Sequence, residues 1–254
     1  MLTMKKTATA LIAAVGIAFG AQAAQAESIK IATEGAFPPF NFIDADGVPQ
    51  GFDVDIANAL CEEMKAECEI VTQDWDGIIP ALLAKKYDAI IASMSITPER
   101  EESVLFSDPY YNNQFHFVGP KDKSFDISKE GLKGLTLGAQ RATVSDQWIE
   151  ENLGDTVTLK LYDTAEEAYL DLDAGRVDLL LNDTYPTYDW LKSDAGKNYE
   201  LKGNSVIDDD VVGIAFRKGD EALRDKFNVA LKAIIDNGTY AKINEKYFPF
   251  SLLN

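Results

Sequence analysis

The amino-acid sequence predicts an α/β protein of two lobes, each a mostly parallel sheet flanked by helices, with a two-strand hinge between them. Three observations lead there. Short apolar runs alternate with segments of helical apolar spacing. The stretch "AKKYDAII" at 84–91 returns in degenerate form as "AGRVDLLL" at 174–181, each behind a helix of matching length. A helical tail follows the apolar strand at 211–216, and if it packs back on the first lobe the chain crosses between lobes twice.

The chain opens with Lys5 and Lys6, an apolar alanine-rich run to about Gly20, and small residues around Ala24 and Ala26. The run is too short to span a bilayer, so residues 1–26 read as a secretory signal peptide cleaved after Ala26. Cleavage removes 26 of 254 residues and leaves 228, enough for one large domain or two small ones. No later segment is apolar for long enough to cross a membrane.

From Ser28 the order is a strand (29–32), an aromatic and proline loop (35–40), and a hairpin with Asp46-Gly47 as its turn signal. A helix at 53–64 carries Val54, Ile56, Ala57, Leu60 and Met64 on one face; a strand (69–71), a helix (76–85) and the apolar run 87–92, short enough for a buried parallel strand, follow. Five residues beyond Asp88 and Asp178 stand Ser93 and Asp183, which places both at the carboxyl ends of central strands, where open α/β sheets bind ligands. A helix at 221–237, a stop at Gly238 and a short helix at 239–247 complete the order. The expected boundaries are 27–111 and 212–254 for the first lobe, 112–114 and 209–211 for the hinge, and 115–208 for the second lobe.

Composition narrows the function classes. Removing Lys5 and Lys6 with the leader takes the formal net charge from −18 to −20, which disfavours nucleic acid and anionic membranes but not a cationic small molecule. Cys61 and Cys68 are the only cysteines, and an exported chain favours a disulfide over two buried thiols. His116 is the only histidine, so mechanisms needing a His pair are excluded, and its alternating surroundings at 114–118 read as a strand.

The stretch "SITPER" at 95–100 runs from a strand into a helix, with Thr97 as N-cap and Pro98 at the first helical position. Arg100 then lies in the first turn, where the dipole mildly disfavours a cation and where an arriving carboxylate would satisfy both. The alternative is a surface arginine bridging to Glu101 or Glu102. Thr143 caps a second helix start, with Asp146 three residues on as a capping-box-like partner. Asp183 is open between a cleft position and an N-cap, and Trp75, between Asp74 and Asp76, suits a cleft or surface better than a core.

These blocks taken together resemble the bacterial periplasmic solute-binding proteins for polar amino acids, in the branch that takes lysine, arginine, ornithine, histidine and opines. The resemblance covers essentially the whole mature chain. It rests on "IATEGAFPPFNF" at 31–42, "GFDVDIANALCEEM" at 51–64, "WDGIIPALLAKKYDAIIASMSITPER" at 75–100, "FSDPYY" at 106–111, "LKGLTLGAQRAT" at 132–143, "AGRVDLLLND" at 174–183 and "DNGTYAKINEKYF" at 236–248. It implies the periplasmic-binding-protein fold, with no cofactor, no metal and no catalytic residue. It implies that Arg100 clamps a ligand α-carboxylate, that Ser93 and Ser95 add hydrogen bonds, and that Thr143 meets the same carboxylate from the other lobe. Asp183 matches the acid that takes the α-ammonium. Phe37 and Trp75 match the aromatic pair around the ligand side chain, and Glu34 matches the acid for its distal cation, with a strand-end surface acid as the alternative.

The pattern departs from the family's commonest form in three places. Ala92 stands where a serine often sits, Phe37 where tyrosine is frequent, and Arg141-Ala142 where Gly-Ser or Gly-Thr usually precedes Thr143. Arg141 could face an opine's second carboxylate, although solvent is the stronger expectation. The resemblance implies a periplasmic monomer that closes by a hinge on a cationic L-amino acid, arginine foremost, and delivers it to an inner-membrane ABC permease. An opine binder and a dehydratase on the same scaffold are the rival expectations.

Overall fold

The computed structural model describes residues 28–253, so the expected leader at 1–26 lies outside the described residues. The first sheet begins with β1 (Ser28–Thr33), continues through a small hairpin sheet of β2 (Ala36–Phe37), β3 (Asn41–Ile43) and β4 (Pro49–Gln50), and enters α1 (Phe52–Met64). Gly51 precedes α1 at φ 123, and a Cβ there would sit 2.2 Å from the Phe40 carbonyl oxygen, so only glycine lets hairpin and helix meet. Then come β5 (Glu67–Thr72), α2 (Trp75–Leu83), β6 (Ala89–Ile90), α3 (Pro98–Ser103) and β7 (Val104–Phe106).

The second sheet is built from β8 (Tyr111–Pro120), β9 (Thr136–Gln140), α4 (Val144–Asn152), β10 (Thr158–Tyr162), α5 (Ala165–Asp173), β11 (Leu179–Asp183), α6 (Thr184–Trp190) and β12 (Tyr199–Val212). The chain then returns to the first sheet as β13 (Ala215–Arg217), followed by α7 (Glu221–Asp236) and α8 (Thr239–Tyr247).

The sheets share a plan, in the orders β5-β1-β6-β13-β7 and β10-β9-β11-β8-β12. Three neighbouring strands are parallel in each, and the fourth, β13 or β8, runs antiparallel to the third. The repeated strands β6 and β11 hold the same place, and the repeated aspartates explain why. Asp88 accepts from the Lys30 amide at 3.0 Å and gives its own amide to the Lys30 carbonyl; Asp178 does the same with Thr136, its carboxylate accepting at 2.9 Å. β6 is shorter than the apolar run at 87–92, because the backbone leaves the ladder to reach a left-handed turn at Ser93, φ 52.

Each sheet carries helices over apolar clusters, with Ile78, Leu82 and Met94 on one face of the first and Leu137, Ile149 and Leu179 on one face of the second. The tail packs on the first lobe: Tyr240 donates to the Tyr110 carbonyl at 2.6 Å, and Lys246 pairs with Asp55 at 2.7 Å. Between lobes, β8 and β12 run side by side antiparallel, with Asn112 opposite Val211 and Asn113 opposite Asp210. Cys61 and Cys68 form a disulfide between the end of α1 and the start of β5. Among the described residues no helix is long and apolar enough to cross a membrane.

Candidate functional site

The carboxyl ends of β1, β6, β9 and β11 meet a narrow cavity between the lobes, of about 20 Å³. Its lining holds Glu34, Phe37, Trp75, Ala92, Ser93, Ser95 and Arg100 from the first lobe, with Thr143 and Asp183 from the second. Phe115, Gln140 and Val144 complete it, and sequence reading did not single these out as site residues. Period-two alternation was the one available signal, and it marks Phe115 in β8; β9 is buried on both faces, so alternation gives no such signal for Gln140.

Arg100 is buried at 9% exposure although it sits in the first turn of α3. Thr97 caps that helix by accepting from the Arg100 amide at 3.2 Å, and Pro98 fixes the first helical φ. The helix is only six residues long, so its dipole adds little and the positive charge at this end of the cavity is that of the guanidinium itself. Nη1 donates to the Ser95 carbonyl at 2.9 Å and Nη2 to the Ala142 carbonyl of the opposite lobe at 3.2 Å; the guanidinium lies 5.3 Å over the Trp75 ring. Among the described residues no carboxylate lies within ion-pair distance of it. Burial pushes its pKa down, while Asp210, Asp183 and Glu99 oppose that shift. A desolvated guanidinium with only carbonyl partners is short of an anion.

Asp183 occupies the N-cap position of α6 but makes no capping hydrogen bond. Instead the Asn113 amide donates to it at 2.6 Å and to Asp210 at 3.0 Å, while Ser95 Oγ donates to Asp210 at 2.9 Å. Burial, with Asp210 nearby, raises Asp183 to about 7. Asn113 and Asp210 belong to the two strands that run between the lobes, so this polar chain ties the cavity floor to the crossing.

A second carboxyl stands apart from that cluster. Glu34, 8% exposed, accepts from Gln140 Nε2 of the other lobe at 2.6 Å, and burial raises it to about 7. The charges that act on it are Asp74, Asp53 and Asp76, whereas Arg100 feels Asp210, Asp183 and Glu99. The cavity therefore has two ends of different chemistry: a cation beside a carboxyl, and a lone carboxyl.

Beneath the first-lobe wall, Asp53 is fully buried and accepts from Asn41 at 2.8 Å, Ser93 Oγ at 2.9 Å and Tyr110 OH at 2.6 Å. Asn41 in turn accepts from the Gly35 amide at 2.8 Å, next to Glu34. This network fixes Ser93, whose left-handed φ would otherwise be unfavourable.

In the second lobe Thr143 caps α4 by accepting from the Asp146 amide, as the spacing predicted. Asp146 does not return the bond to Thr143; it takes the Ala142 amide at 2.9 Å, one residue earlier. Ala142 has φ 56, and the turn aims its carbonyl at the first lobe, where Trp75 Nε1 donates to it at 3.0 Å. Arg141 does not line the cavity. Its guanidinium sits at the rim, 3.0 Å from Asp163 and 3.7 Å from Asp76, held there by the two acids. His116 lies in β8 with Nδ1 2.7 Å from Thr184 Oγ1, away from the lining.

Comparison with known proteins bears on this arrangement. The bacterial extracellular solute-binding proteins, family 3, match residues 29–250. The L-arginine-binding protein of Pseudomonas aeruginosa is 44% identical over 230 residues, covering 88% of this chain and 89% of that protein. The lysine/arginine/ornithine-binding periplasmic protein of Escherichia coli is 36% identical over 257 residues, covering 98% and 99%. A solved structure of an ancestral arginine-binding protein bound to arginine superposes with a TM-score of 0.82 at 37% identity, covering 87% of this chain and 98% of that one.

Proposed function

The chain belongs to family 3 of the bacterial extracellular solute-binding proteins, and we propose that it is the periplasmic binding component of an ABC importer for a cationic L-amino acid, arginine foremost. One observation carries this reading. The cavity lining holds one buried arginine, without a carboxylate partner among the described residues, and two buried carboxyls, Asp183 beside it and Glu34 at the other end. That is the complement of a molecule with one carboxylate, an adjacent ammonium and a distal cation.

In this reading Arg100 takes the α-carboxylate as a charge-assisted pair, with the Thr143 helix start facing it. Asp183 takes the α-ammonium, Ser93 and Ser95 supply hydroxyls and carbonyls, and Phe37 and Trp75 flank the methylenes of the side chain. Glu34 faces the distal cation. Arg141, paired to two acids at the rim, has no part in the ligand contact.

Closure bends the segments 112–114 and 209–211, the behaviour for which periplasmic binding proteins are known. Ligand contacts on both lobes favour the closed state, since a ligand indifferent to closure shifts nothing. The relatives are binding proteins by name, and every acid in the cavity has a binding role here, which favours transport over catalysis; the acceptor is an inner-membrane permease. Titration calorimetry with L-arginine and with agmatine, its analogue without the carboxylate, tests the assignment. Arginine should bind tightly and agmatine weakly, and equal affinity would remove the role given to Arg100.

A further inference from the structure

Gln140 is buried at 5% exposure at the last position of β9, with its side chain in the cavity lining. Its Nε2 donates to Glu34 Oε1 at 2.6 Å and to the Asp163 carbonyl at 3.0 Å. A backbone carbonyl only accepts, so the amide nitrogen must face Asp163, and its two hydrogens are engaged by Asp163 and Glu34. That leaves Gln140 Oε1 and the second oxygen of Glu34 as two acceptors carried by opposite lobes.

The charge pattern gives these acceptors an occupant. Arg100 and Asp183 form the other end of the site, and the charges that chiefly bear on Glu34 are the acids Asp74, Asp53 and Asp76. An ammonium points three donors tetrahedrally from one atom, whereas a guanidinium spreads five donors over a plane and reaches two separated side-chain acceptors in one fixed geometry.

We propose that Gln140 is a specificity-determining residue, pairing with Glu34 across the cleft so that the distal group is accepted as a guanidinium in preference to an ammonium. The inference rests on the cationic amino-acid reading and adds to it. Gln140 belongs to the second lobe and Glu34 to the first, so recognition of the far end of the ligand is part of closure. The Asp163 carbonyl sets the Gln140 rotamer from behind, which preorganises the second-lobe acceptor of the pair.

Titration of the wild type with arginine, lysine and ornithine comes first. Binding of none of the three would remove the underlying functional reading, while lysine binding as tightly as arginine would overturn the Gln140 assignment alone. Next come Gln140→Met, which keeps length and burial, and Gln140→Leu as a second variant, with ligand-free melting as the check on folding. Arginine affinity should fall about 10- to 100-fold more than lysine affinity, the size of a lost hydrogen bond to a charged group. Equal losses for both ligands would mark Gln140 as structural and contradict the proposal.

Discussion

The Nη2 group of Arg100 donates to the Ala142 carbonyl oxygen across 3.2 Å, from one lobe to the other. The same oxygen accepts from Trp75 Nε1 at 3.0 Å, so two first-lobe side chains converge on one second-lobe carbonyl. The left-handed conformation at Ala142, φ 56, turns that carbonyl outward, and Asp146 holds the Ala142 amide. In the proposed reading, anion recognition and lobe contact therefore share a residue.

Replacing Arg100 with alanine should lower arginine affinity by about 100-fold or more, the scale for removing one side of a desolvated charge pair. Arg100→Lys should recover little, because a point charge cannot keep the Ser95 and Ala142 carbonyls and grip a carboxylate with a planar fork. Calorimetry gives the affinities and ligand-free melting gives the fold. Normal binding by Arg100→Ala, or simple unfolding, would contradict the clamp.

The two raised carboxyls give opposite pH slopes for binding and for stability. Glu34 rises from 4.5 and Asp183 from 3.8, both to about 7, chiefly through burial. A bound cation favours the ionised forms, so below about 7 a cationic ligand must displace protons and its affinity should fall as pH drops, by up to about tenfold per pH unit per carboxyl. Without ligand the sign reverses. A folded-state pKa above the unfolded value gives stability that is full below pH 4 and is lost as pH rises through about 7. Calorimetry in buffers of different ionisation enthalpy, from pH 5 to 8, reads proton release on binding; a flat profile would count against both carboxyls as ligand contacts.

Asp53→Ala should destabilise the protein by about 3 to 5 kcal/mol, since it strands the buried donors of Asn41, Ser93 and Tyr110 together. Asp53→Asn should cost less, because the hydroxyls of Ser93 and Tyr110 can turn to accept. Urea unfolding measures both. A change under about 1 kcal/mol for the alanine variant would mean that the network is not coupled to the fold as described.

Much of the fold was legible because its signals are local. Apolar spacing gave α1 and α7, and Gly238 with the following periodic segment gave α8 to the residue. The repeat gave β6 and β11, and the Asp88 and Asp178 bonds now supply its cause. The side chains that hold the cavity in place were not legible in the same way. Gln140 meets Glu34 from 106 residues away, Asn113 meets Asp183 from 70, and Ser93 meets Asp53 from 40, separations on which a local pattern is silent. Arg141 drew attention as a cation before Thr143, but its guanidinium pairs with Asp163 and Asp76 at the rim, and it is its neutral neighbour Gln140 that lines the cavity.

The central claim is that the cavity is complementary to one carboxylate, one adjacent ammonium and one distal cation. The most direct measurement is the shift in melting temperature of the wild-type protein at pH 7.5 across arginine, lysine, ornithine, histidine, glutamine, glutamate, leucine, octopine and nopaline at equal concentration. A tight ligand raises the transition by mass action on the folded state. L-arginine should give the largest shift, with glutamate and leucine near none; glutamate or glutamine as the best stabiliser would contradict the account.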